Sequence, residues 1–241
     1  MFQNNLLMAA AGAGGYTIKN SCTFNGSDEW MNRTWDAPTV HEVWSFSCWI
    51  ERDGLGVNDG MFGPDIVSSK NGQILVNSSN QLDLYNDNAA LIQARITSTT
   101  VDTSWTHILA TYDLSASTPI HLYLDGTEAS YSSTLDQGGS DFAINRASSV
   151  HNVGRETSGP DTYMSGQMAE VVFIDGLVIS VASVYDGGKA VDPSGLTFGN
   201  NGFHFNFEDS SDMGKDVSGN SNDFSLNNID SGNQSTNVPP Q

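Results

Sequence analysis

The chain has 241 residues, enough for one sizeable core, and sets 28 Asp and Glu against nine Lys and Arg for a formal charge of −19. Such a surface repels phosphate backbones and anionic lipid, which argues against nucleic-acid partners and against docking on an acidic membrane. Two cysteines, Cys22 and Cys48, are too few for a disulfide framework, and no apolar run reaches the roughly 18 residues of a membrane span.

Residues 1–15 read as an appendage. Phe2, Leu6, Leu7 and Met8 precede alanines and a glycine hinge, with no basic stretch of the kind a signal peptide carries. They suit an anchoring peptide that orders on a partner; a frayed terminus is the alternative. Strands are expected over 16–24, ended by Asn25-Gly26, then over 30–35 and 40–51. Within the last of these, Cys48 shares parity with Phe46 and Ile50, which makes it a small buried hydrophobe rather than half of a bridge. The Gly-rich stretch 52–64 reads as a loop, and sequons such as Asn32-Arg33-Thr34 read as chance. Short strands follow near 65–69, 73–76, 82–85 and 91–96, a spacing that argues for a sandwich.

The strongest local signal lies at the centre of the chain. Residues 105–113 form one strand, a Ser-rich connection ending in Pro119 turns the chain, and 120–126 alternates apolar and polar residues. Ile120, Leu122 and Leu124 then bury on one face, with His121, Tyr123 and Asp125 on the other. Further strands are expected over 142–154, 164–174 and 203–207, with one helical turn at 181–185. From Glu208 onward Asp, Ser, Asn and Gly dominate, and 230–241 reads as an extended, mobile tail. The organisation is an extension over 1–15, a β-sandwich over 16–229 and a polar tail over 230–241.

The runs "WTHILATYDLSASTPIHLYLDG" and "YMSGQMAEVVFIDG", with "FNGSDEWMNRTW" and "WSFSCWIERDGLG" upstream, resemble the concanavalin A-like jelly roll of the laminin-G and pentraxin kind. The "FIDG" and late "DVSGNSNDF" elements are similar to domains in marine bacteriophage structural genes, and openings like "NNLLMAAA" occur in phage virion proteins. The resemblance implies an all-β, antiparallel jelly-roll sandwich. It also implies a virion component on the particle exterior: a capsid decoration protein, head fibre or tail-associated appendage. Its partners would be other virion proteins held through residues 1–15, further copies of itself, and host-surface glycans.

The residues bear on three chemistries. Related glucanases need paired carboxylates about 5–5.5 Å apart; Glu170 has no partner at even spacing before Asp175, which belongs to a turn, and no nucleophile elbow is present. A calcium site could be built from Asp216, Ser218, Asn220, Asn222 and Asp223, hard oxygen donors around Gly219, against the reading of an Asx-rich turn. Carbohydrate binding needs a stacking aromatic beside polar side chains. The candidates are Trp30, Trp35, Trp49, Trp105, His121, Tyr123 and Tyr163, any of which could instead be packing. The expectation is a non-enzymatic, lectin-like virion domain. The alternatives are a free calcium-dependent carbohydrate-binding module or adhesin and, last, a glycan-cleaving enzyme.

Overall fold

The computed structural model describes residues 15–65, 71–87, 92–136, 143–157 and 161–241. In chain order its strands are β1 (Ser21–Asn25), β2 (Trp30–Thr34), β3 (Val43–Arg52), β4 (Asp59–Pro64), β5 (Asn71–Val76), β6 (Gln81–Asp87) and β7 (Ile92–Thr100). The central hairpin follows as β8 (Thr106–Asp113) and β9 (Ile120–Leu124), then β10 (Thr127–Glu128), β11 (Tyr131–Asp136) and β12 (Val150–Val153). The last are β13 (Arg155–Glu156), β14 (Thr162–Tyr163), β15 (Ser165–Asp175), β16 (Tyr185–Asp186), β17 (Lys189–Ala190), β18 (Phe203–Phe205), β19 (Ser225–Asn227) and β20 (Gln234–Ser235).

Two antiparallel sheets make the sandwich. One runs β10-β9-β8-β3-β15-β1-β20, with β18 also on β15; the other runs β11-β7-β6-β5-β4-β12-β2-β19. Strand alternation sorts the side chains. Ile120, Leu122 and Leu124 bury between the sheets while His121 and Tyr123 face outward, as the period of two requires. The core is aromatic-rich: Phe46, Phe62, Trp35, Trp44, Phe173 and Phe203 are buried together, each contributing about 1.5–3 kcal/mol by leaving water. Cys22 and Cys48 are free and fully buried. Strand β15 lies between them (Cys22 opposite Met168, Met168 opposite Ile50), so no bridge can form, and burial pushes both thiols up.

The outer face of the first sheet is covered. Tyr16 and Ile18 cross Trp49 and Ala169, Tyr185 and Ala190 join them, and Phe198 packs on Val172 and Ile174. A single 3₁₀ turn, Val181–Ser183, falls where a helical turn was expected. Among the described residues no helix is long and apolar enough to cross a membrane.

Two expectations are corrected. The stretch 52–64 is not all loop, because β4 occupies its second half. Arg52, fully buried, donates from Nε to Asp59 Oδ2 at 2.6 Å, and from its other nitrogens to Asn80 Oδ1, Val101 O and Val57 O, which fastens the intervening turn. Nor is 230–241 a free tail. β20 pairs with β1, Asn233 Nδ2 donates to Thr23 O, Gln234 Nε2 to Phe207 O, and Gln241 Oε1 accepts from Ile18 N. Amide side chains hold this segment in place of apolar ones. The anchor residues Phe2, Leu6, Leu7 and Met8 lie outside the described residues.

Candidate functional site

The short β13–β14 hairpin lies against β4 at the outside of the second sheet, and two glycines put it there. Gly154, at φ +82°, turns the chain out of β12, and a Cβ there would strike the Phe24 ring. Gly60 in β4 leaves room for the hairpin backbone, since a Cβ would meet Thr162 O and come within 2.7 Å of Glu156 N. The hairpin thereby brings Arg155 and Tyr163 to Trp30, which projects from the outward face at the start of β2.

The result is an aromatic and ionic cluster. The Trp30 and Tyr163 ring centroids are 5.7 Å apart and tilted by 50°. The Arg155 guanidinium carbon lies 4.8 Å from the Trp30 centroid and 5.9 Å from that of Tyr163, within cation–π range of both. Arg155 Nη2 pairs with Asp161 Oδ2 at 2.8 Å, and the Tyr163 hydroxyl donates to the same oxygen at 3.3 Å. Desolvation, then the Asp161 charge, raises the Tyr163 hydroxyl above its ordinary value, so it stays a donor at neutral pH. Trp30 Nε1 and Arg155 Nε are shielded from solvent yet make no hydrogen bond among the described residues. Half-exposed rings beside a tyrosine hydroxyl and an exposed carboxylate can take up a polyhydroxylated ring by stacking and hydrogen bonding.

Of the seven aromatic and histidine candidates, only Trp30 and Tyr163 come together here. Trp35 is corrected to a core residue: 2% exposed, it stacks on His151 at 3.6 Å and packs on Phe173. Trp49 is likewise corrected. It is 2% exposed on the outer face of the first sheet, beneath Ile18 and Tyr185. Trp105 packs at the edge of the same cover, its Nε1 donating to Asn237 Oδ1 at 3.4 Å. His121 and Tyr123 sit half-exposed near the far edge of that sheet, His121 Nδ1 2.5 Å from Glu128 Oε1. Arg155 and Asp161 were missed by the sequence reading. An Arg and an Asp on either side of a Ser-Gly-Pro sequence carry no aromatic signal of their own.

The Asp216–Asp223 run does not fit a calcium cage. Asp216 accepts four protein donors: His204 N and Ser218 N on Oδ1, Ser218 Oγ and Asn222 N on Oδ2. Asp223 Oδ1 accepts Asp216 N. Asn220 turns its Nδ2 to Gly199 O and Gly202 O, and Asn222 its Nδ2 to Asn200 O and Gly202 O. The loop is a clip that fastens residues 199–202, with both oxygens of Asp216 and Oδ1 of Asp223 engaged by protein donors. Among the described residues no three His, Cys, Asp or Glu converge on a common point.

One further polar group lies under the cover of the first sheet. Glu170, at φ +49° in the bulge between Ala169 and Val172, accepts from the Tyr16 hydroxyl at 2.9 Å and lies 2.6 Å from His204 Nε2. Ser47 Oγ is 2.9 Å from His107 Nε2 nearby, and the enclosed space is about 10 Å³, room for about one water. No polysaccharide reaches Glu170 there. Asp175 is also occupied, its carboxylate accepting from Thr39 N, Asn145 Nδ2 and Asn201 N.

The sandwich and its order of strands define a class, and the sequence agrees: residues 25–185 match the concanavalin A-like lectin/glucanases superfamily, to which the chain belongs. Among solved structures it is similar to a provisionally assigned carbohydrate binding protein from Bacteroides ovatus, with 15% identity and a TM-score of 0.68, covering 94% of this chain and 62% of that one. It is also similar to the heptameric SAP-like pentraxin of Limulus polyphemus, with 15% identity and a TM-score of 0.53 over 71% of this chain and 84% of that one. A third likeness is to domains LG4-5 of the mouse laminin alpha1 chain, with 10% identity and a TM-score of 0.51 over 85% and 51%. At these identities the likeness is one of fold. No curated protein matches the chain in sequence.

Proposed function

We propose that this domain is a non-catalytic, lectin-like module that binds glycans at the Trp30–Tyr163 cluster. The observation that carries the reading is the pairing of two half-exposed rings with Arg155 and the exposed Asp161 on one rim. Membership of a lectin and glucanase superfamily supports it. Glu170 is covered and Asp175 is engaged by protein donors, so neither carboxylate of the long strand β15 is free to attack a glycan, which supports binding over hydrolysis. Glycan-array screening of the folded domain tests this. Retention lost in Trp30→Ala is the expected result, and release of product from a polysaccharide would refute the non-catalytic reading.

In the same proposal the domain is carried on the exterior of a bacteriophage particle, as a decoration protein, head fibre or tail appendage, anchored through residues 1–15. The resemblance of its sequence to phage structural genes supports this, and an acidic surface suits an outward position. Several copies per particle would turn weak glycan contacts into firm adhesion. Deleting residues 1–15 should abolish association with the particle without lowering the melting temperature. Persistent association would refute the anchor.

A further inference from the structure

The strand register continues the rim cluster across the outer face of the second sheet. Trp30 on β2 lies opposite Asn227 on β19, and Asn32, two residues on and therefore on the same face, lies opposite Ser225 on β19 and Asn152 on β12. Three carboxamides thus stand in adjacent positions beside the aromatic pair. Asn152 is completely buried; its Nδ2 donates to Asp65 Oδ1 at 2.9 Å and Gly63 O at 3.3 Å, while its Oδ1 makes no hydrogen bond among the described residues. Asn227 Nδ2 is also shielded and unpartnered. These atoms, like Trp30 Nε1 and Arg155 Nε, are closed to solvent, so what a ligand meets on this face is the half-buried carboxamides of Asn32 and Asn227 beside the two rings.

Charge narrows what that partner is. Arg155 is the cation of the cluster and is already paired with Asp161, while Asp28 lies close enough to Tyr163 to act on its hydroxyl. A carboxylated or sulfated sugar would meet these carboxylates with no unpaired cation of the cluster, among the described residues, to offset them. A carboxamide presents a donor and an acceptor in one plane and suits adjacent hydroxyls, each of which both donates and accepts.

We propose that Asn32 and Asn227 form the polar floor of the glycan site whose wall is Trp30 and Tyr163, and that this floor selects uncharged glycans with adjacent free hydroxyls over sialylated, uronic or sulfated ones. The proposal rests on the Trp30–Tyr163 reading and adds the ligand class to it.

The test uses the full chain on a panel pairing neutral oligosaccharides (gluco-, manno- and galacto-oligosaccharides) with sialyllactose, oligogalacturonate and heparin fragments. Asn32→Ala, Asn227→Ala and Trp30→Ala are run beside the parent, with melting temperatures recorded. Asn32 and Asn227 are half-buried, so their removal should leave the fold intact. The expected result is retention of neutral glycans only, weakened about fivefold or more by either amide variant at unchanged melting temperature. Equal or tighter binding of the anionic set overturns the ligand class. Binding lost in Trp30→Ala but untouched by both amide variants means the floor holds only water; this inference then falls while the rim reading stands. No retention of any glycan by the folded parent overturns both.

Discussion

Trp30→Ala, set against Trp35→Ala, separates binding from stability. Trp30 is half-buried, and its ring meets Tyr163 at 5.7 Å and the Arg155 guanidinium at 4.8 Å. An aromatic pair contributes about 0.5–1.5 kcal/mol beyond burial and a solvent-accessible cation–π contact about 0.5–1 kcal/mol. The variant should therefore lose about 2 kcal/mol, a drop of roughly 4–8 °C in a domain of this size. Trp35→Ala is the control. That ring is enclosed by His151, Phe62 and Phe173, and truncation should cost about 3–5 kcal/mol, with binding lost only in proportion to unfolding. Thermal melts followed by near-ultraviolet circular dichroism, with titration calorimetry at a temperature where both variants are folded, read the two effects separately. A folded Trp30→Ala protein that binds its glycan with parent affinity would refute the assignment of the rim.

Further expectations follow from the same geometry. Asp216→Ala should destabilise the domain by several kcal/mol through loss of four hydrogen bonds, while EDTA leaves the parent melting curve in place; a chelator-induced shift of several degrees would restore a calcium role for this loop. Removing residues 230–241 should lower the melting temperature by several degrees, since β20 and the amide contacts of Asn233 and Gln234 go with them; an unchanged melt would contradict the integral tail. Burial holds His107 and His151 neutral, both pushed down to about 3. With folded values below the unfolded 6.5, their contribution is complete above about pH 6.5 and lost as pH falls toward 3, at about 1.4 kcal/mol per pH unit each. Asp83, raised to about 6 by burial, works in the opposite direction over part of that window. His107→Gln should therefore flatten the acid limb of a denaturant-stability profile by about 1.4 kcal/mol per pH unit relative to the parent; identical slopes would contradict a buried neutral His107.

How much of this was legible in the sequence depends on what holds each element. The hairpin β8–β9 declared itself because Ile120, Leu122 and Leu124 alternate with polar residues and bury on one side. Cys48 was placed correctly by the same parity. β4 was hidden because a buried Arg52–Asp59 pair and a glycine for close approach, not an apolar period, fix it. The C-terminal strand was hidden for a related reason, since carboxamides bonded to distant backbone carbonyls leave no local pattern. Trp30 and Trp35 flank one short strand and look equivalent in sequence. Only the hairpin beside one and the packed rings around the other tell rim from core. The Asp216–Asp223 run has the composition of a cation loop, and the backbone donors that fill its carboxylates come from the loop itself and from His204.

The central claim, that the outer face of the second sheet around Trp30 and Tyr163 is a glycan-binding surface, is tested most directly by backbone amide shift mapping in solution. A neutral oligosaccharide retained on the array is titrated into isotope-labelled domain. Shifts should be confined to Trp30, Asn32, Asn152, Arg155, Tyr163 and Asn227, with the first sheet silent. Shifts centred instead on His121 and Tyr123, on the opposite sheet, would contradict it.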